Sequence, residues 1–163
     1  MAWAKNGTPD TLTSSGNTMT ISDLSSLKSN IVISHTIATG GNTATYIYLN
    51  NDNSSGNYAR RQSENFGADG TGTSQNNVVY DTGGDAHDKL SITYIFGISS
   101  EEKLAIGIGV NRKTAGAGTA PATGQFYWKW ANTSSTIDRV DDDTSAQSGT
   151  YAADSNLSAL GTD

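Results

Sequence analysis

Apolar side chains in this chain recur every second residue, the period of a half-buried β-strand, and not with the 3.6-residue period of a helix. The clearest stretch places Leu90, Ile92, Tyr94, Phe96 and Ile98 on one face. A second places Leu104, Ile106, Ile108 and Val110 on one face, with Ala105, Gly107 and Gly109 opposite. The link Ser99-Ser100-Glu101-Glu102-Lys103 is short and polar, which predicts an antiparallel hairpin with its Leu and Ile side buried. On that reading a charge at Ile106 prevents folding, because a buried unpaired charge costs several kcal/mol. The small residues opposite leave room for another chain segment or a neighbouring subunit to approach closely.

Further strands follow the same rhythm. Residues 30–38 set Ile31, Ile33, His35 and Ile37 on one side. Residues 43–50 set Ile47 and Leu49 against Tyr46 and Tyr48, after a tight turn at Thr39-Gly40-Gly41-Asn42. Residues 18–22 and 76–80 are shorter candidates. Residues 125–133 alternate Phe126, Trp128 and Trp130 with Tyr127 and Lys129, and weaker strands are expected at 136–141 and 156–160. About nine strands in one domain spanning 1–163 predict an all-β fold, an antiparallel β-sandwich. A single turn at 23–29 is the only helical hint. Residues 51–75 and 113–124, rich in Asn, Ser, Gly, Ala and Thr, are expected to be long loops.

Composition sharpens this picture. Thirteen Asp against three Glu, with 21 Thr, 20 Ser and 14 Asn, exclude a helical bundle, since these side chains compete with the helix backbone. The chain has no Cys, so disulfides, thiolate nucleophiles and Cys-based metal sites drop out together. A net charge of -6 with ten Lys plus Arg argues against a nucleic-acid partner, which needs a clustered basic face. The absence of any run of 18 apolar residues argues against a membrane-spanning helix. The first residues, Met1-Ala2-Trp3-Ala4-Lys5, lack the pattern of a secretory signal, so the protein is expected either to stay in the cytoplasm where it is made or to leave by a route that needs no signal, such as cell lysis inside an assembled particle.

Candidate chemistry is thin. Asn51-Asp52-Asn53-Ser54-Ser55-Gly56 mimics the start of a calcium loop, but its twelfth position is Gln62, so a plain turn is expected and no metal. Asp138-Arg139-Val140-Asp141-Asp142-Asp143 reads as a solvated strand end and loop, because neighbouring strand residues point to opposite faces. His35, between isoleucines, reads as a core or interface residue. His87, in Gly83-Gly84-Asp85-Ala86-His87-Asp88, is the one candidate base, yet no nucleophile elbow, phosphate loop or zinc motif accompanies it. The row Phe126, Trp128, Trp130 suits a sandwich core, with a sugar-stacking platform as the alternative. Tyr58, Arg60 and Arg61, bordering the long loop, are the candidate binding residues.

Several phrases carry a resemblance. They are Asp10-Thr11-Leu12-Thr13-Ser14-Ser15-Gly16-Asn17-Thr18-Met19-Thr20-Ile21-Ser22-Asp23-Leu24, Leu49-Asn50-Asn51-Asp52, and Asn57-Tyr58-Ala59-Arg60-Arg61-Gln62-Ser63-Glu64-Asn65. Thr114-Ala115-Gly116-Ala117-Gly118-Thr119-Ala120-Pro121, Lys129-Trp130-Ala131-Asn132-Thr133-Ser134 and Asn156-Leu157-Ser158-Ala159-Leu160-Gly161 complete the set. In this order they resemble small virion-associated structural proteins of marine phages and ocean metagenomes. The resemblance implies a jelly-roll type sandwich without catalytic residues or cofactor, a head-decoration or fibre-type subunit of the virion. Its implied partners are further copies of itself, other virion proteins and host-surface glycans. The alternative is a carbohydrate-binding sandwich module.

Overall fold

The computed structural model describes residues 2–79 and 86–163, and it is an antiparallel β-sandwich without a helix among them. Its strands are β1 (Ala4–Lys5), β2 (Asp10–Thr11), β3 (Thr18–Ile21), β4 (Ser29–Thr36), β5 (Tyr46–Leu49), β6 (Tyr58–Glu64) and β7 (Gly70–Gln75). They continue as β8 (Val78–Val79), β9 (Lys89–Phe96), β10 (Lys103–Asn111), β11 (Ala122–Trp130), β12 (Val140–Asp143) and β13 (Asn156–Thr162). Nine strands form the larger sheet in the order β1-β13-β4-β9-β10-β11-β6-β7, with β2 also on β13. The smaller sheet runs β3-β12-β5-β8.

The predicted hairpin is present as β9 and β10, paired antiparallel through Ile108 opposite Ile92 and Ile106 opposite Tyr94. Its faces are reversed from the expectation. Leu90, Ile92, Tyr94, Leu104, Ile106 and Ile108 are 40–57 % exposed, while Lys89, Ser91, Thr93, Lys103 and Ala105 are buried. The reason lies in the next strand. Phe126, Trp128 and Trp130 of β11 are all buried, confirming the core reading of that row, and their rings need space on the inner side of β10. Glycines supply it: Gly107 stands opposite Phe126, and a Cβ on Gly109 would sit 3.4 Å from the Phe126 ring. Large rings from one strand thus fill the room left by small residues of its neighbour, and the branched side chains of β10 are left outside.

The stretch 51–75 is not one loop. It contains β6 and β7, which extend the larger sheet beyond β11. Tyr58, Arg60 and Gln62 share the inner face with Trp130, Trp128 and Phe126, a register without an unbroken apolar row to signal it. Residues 23–29 hold no helical turn and run into β4. The turn at 39–42 carries the chain from β4 in one sheet to β5 in the other, with Gly40 and Gly41 at positive φ. The strand expected at 76–80 is β8, and Tyr80 lies outside the described residues.

The acidic segment departs furthest from its expected place. Rather than a solvated end, Val140–Asp143 is an inner strand of the smaller sheet, between β3 and β5, and all four residues are buried. Val140 and Asp142 align with Ile21, Met19, Ile47 and Leu49 and so face the core. Asp141 and Asp143 take the other side, where threonines and an arginine complete their hydrogen bonds.

Candidate functional site

The outward face of the larger sheet is the surface that sets this molecule apart. Its register builds rows that cross strands. One runs Leu160, Ile31, Tyr94, Ile106, Tyr127 and Arg61 through β13, β4, β9, β10, β11 and β6. The next runs Ser158, Ile33, Ile92, Ile108, Gln125 and Ser63. Five of the first row's six residues are apolar or aromatic, and side chains directly opposite across strands touch one another. A groove of about 520 Å³ lies over Leu104, Ile106, Tyr94 and Tyr127. A second of about 310 Å³ lies over Ile92, Ile108 and Leu90, with Phe66, 80 % exposed, at its edge.

Charges stay at the margin and are paired. Lys129 Nζ lies 2.7 Å from Glu102 Oε2, and Arg61 Nη1 lies 2.8 Å from Asp69 Oδ2. Each pair is half in water and contributes at most about 1 kcal/mol, so it tunes the rim rather than holding the sheet. Trp3 meets Tyr94 edge-on at 6.0 Å, and the Tyr94 hydroxyl donates to Ser29 Oγ at 3.0 Å. His35 is exposed on this face beside the apolar rows, not in the core.

The sequence-derived binding residues part company here. Tyr58 is 1 % exposed, stacked on Trp130 at 6.4 Å, and its hydroxyl oxygen accepts the Leu49 N–H at 2.9 Å. It is a core residue, closed to any partner, and burial pushes its hydroxyl pKa well up. Arg60 points inward beside it; burial lowers its pKa, and its Nη1 has no hydrogen-bond partner among the described residues. Only Arg61 reaches the outward face, where it ends the first row. All three lie on strand β6 and none on a loop.

The other candidates resolve into structure. Asp52 accepts hydrogen bonds from Trp130 Nε1 at 2.8 Å, Asn57 Nδ2 at 2.7 Å and the Ser54 N–H at 3.1 Å. Burial raises its carboxyl, but these donors outweigh burial and hold it below the ordinary carboxylate range. The segment is a turn clamped to the core, as expected. Asp142 accepts from the Ser34 and Tyr151 hydroxyls, the latter at 2.7 Å, inside the sandwich. Burial pushes its pKa up to about 6, against the lowering effect of those donors and of Lys89. No group of three metal-ligating side chains occurs among the described residues. His87 is half-buried, while Gly83, Gly84 and Asp85 lie outside the described residues.

Sequence reasoning read Ile92, Tyr94, Leu104, Ile106 and Ile108 as core, and so missed this exposed apolar face. The available signal was the stripe Ala105, Gly107, Gly109, too small to be the outer side of a strand beside a row of three rings. No protein family, curated protein or solved structure matches this chain.

Proposed function

We propose that this protein is a non-enzymatic structural subunit of a phage particle, of head-decoration or fibre type, which self-associates and is displayed among other virion proteins. The observation that carries the reading is the exposed apolar face of the nine-strand sheet, where seven large residues of β9, β10 and β11 stand 40–57 % exposed. A contiguous surface of this kind marks a contact with another macromolecule. The carbohydrate-binding alternative finds less support. Its aromatic row is buried, and of the exposed rings Trp3, Phe66, Tyr94 and Tyr127, the two tyrosines flank Ile106, whose side chain offers sugar hydroxyls no hydrogen-bond partner. Particle membership, taken from the sequence resemblance, is tested by quantitative peptide mass spectrometry of density-purified phage from a lysate containing this gene product. A fixed stoichiometric ratio to the capsid protein is the expected result. Recovery of the chain only in the soluble lysate would overturn the reading.

A further inference from the structure

We infer that the outward face of the nine-strand sheet packs against the same face of a second copy of this chain, sheet on sheet about a two-fold axis. This rests on the structural-subunit reading and names its contact. Area comes first. The seven residues of β9, β10 and β11 at 40–57 % exposure present on the order of 700 Å² of side-chain surface, close to the roughly 800 Å² per partner of a stable interface. Residues at the margin, Ile31, Ile33 and Leu160, add to it.

Charge selects the occupant. Among the outward residues of β9, β10 and β11 only Lys129 is charged, and Glu102 pairs with it. The further marginal cations Arg61 and Arg112 are paired with Asp69 and Asp88. A rim whose named cations are each paired with a carboxylate offers no free cluster of positive charge to hold nucleic acid or an anionic membrane surface. Two such rims turned toward each other by a two-fold axis place like chemistry on both sides without net repulsion. The densest run of carboxylates, Asp141, Asp142 and Asp143, belongs to the other sheet and lies away from this face.

Shape agrees. The occupant meets a sheet face with shallow grooves of about 520 and 310 Å³ that the chain's own side chains leave unfilled. Sheets that pack face to face interdigitate Leu, Ile and aromatic side chains of this kind across a layer about 10 Å thick. An isologous contact makes each copy supply both the ridge and the groove. The sandwich core on the inner side and the contact on the outer side then bury both faces of β9 and β10.

The test is sedimentation equilibrium of the full chain from 1 to 200 µM, beside the double variant Ile106→Asp with Ile108→Asp. The unsubstituted chain should reach about twice its 17.0 kDa mass or more. The double variant should stay at one mass with an unchanged far-ultraviolet circular dichroism spectrum, its association weakened roughly hundredfold or more by four carboxylates in an apolar contact. Should the variant fail to fold, carbene footprinting of the unsubstituted chain decides. Labelling of Leu104, Ile106 and Ile108 should fall as concentration rises, and constant labelling overturns the inference. A chain that stays at 17.0 kDa throughout also overturns it, as does association that the double substitution leaves intact. The last outcome moves the contact elsewhere but spares the structural-subunit reading, whereas absence from purified phage ends that reading whatever the mass.

Discussion

The β9–β10 hairpin carries the most regular apolar alternation in the chain and turns it toward solvent; β12 carries the densest acidic run and is buried whole. Their difference teaches what decides the inside of a sandwich. On β10 the inner positions are Lys103, Ala105 and Gly107, chosen by the bulk of Trp128 and Phe126 beside them. Lys103 itself is fully buried, yet its Nζ donates to the Glu101 carbonyl at 2.8 Å and the Asn132 carbonyl at 2.7 Å, and it lies 5.6 Å from the Trp130 ring centre. On β12 each carboxylate is matched. Asp141 takes a two-pronged bond from Arg139 and one from Thr20, Asp143 bonds Thr18 and Ser145, and Asp142 bonds Ser34 and Tyr151. Polar groups enter the interior when partners are fixed there, and apolar groups stay out when larger ones already occupy the space.

The comparison breaks most readily at Asp142. Asp142→Ala leaves the buried Ser34 hydroxyl without its acceptor and the Tyr151 hydroxyl with Thr45 alone, and should lower the unfolding free energy by roughly 2–5 kcal/mol. Urea denaturation reads this as a lower midpoint at constant slope; a loss under about 0.5 kcal/mol would show that the network does not hold the strand. Next in size, Tyr58→Phe removes the acceptor of the buried Leu49 N–H and should cost about 1–3 kcal/mol, measured the same way.

The pH dependence sharpens the contrast further. With its pKa raised from 3.8 to about 6 by burial, Asp142 binds its proton more tightly in the folded chain than in the unfolded one. Its contribution therefore favours folding most below about pH 4 and is lost as pH rises through about 6. Asp52 and Asp23, held low, act in the opposite sense, so the informative quantity is the stability of the protein minus that of Asp142→Asn. That difference should fall between pH 4 and 7, and a flat curve would mean that Asp142 titrates normally. The smallest effect is expected on the exposed hairpin. Ile106→Asp, 57 % exposed in the wild type, should change the stability of the isolated chain by no more than about 1 kcal/mol, the span of strand preferences on an open face. Failure of this variant to fold at micromolar dilution would return Ile106 to the core.

Strand existence was legible in the sequence because alternation is a local property. The hairpin, β4, β5 and β11 lie within a few residues of where the pattern puts them. Missing from it were the two-residue strands β1 and β2, and β6 and β7, whose sequences Tyr-Ala-Arg-Arg-Gln-Ser-Glu and Gly-Thr-Gly-Thr-Ser-Gln carry no apolar row. The latter two are strands because β11 offers β6 a free edge, and β6 offers one to β7. The candidate site was legible only as residues: Ile92, Ile106 and Ile108 were singled out, but for the interior, and Arg61 was named beside two residues that point the other way.

By itself the sequence determined an all-β chain without thiol chemistry, its central hairpin, and an aromatic row massive enough to fill a core. Tertiary structure alone decided which side of each strand is inside. A period of two is unchanged when a strand is turned over. The choice between faces depends on volume and on hydrogen-bond partners, and both come from segments far away in the chain. Ser34 of β4 meets Asp142 of β12 across the sandwich, and Phe126 lies against Gly109. No local pattern contains those meetings, and it is they that leave a row of isoleucines facing outward.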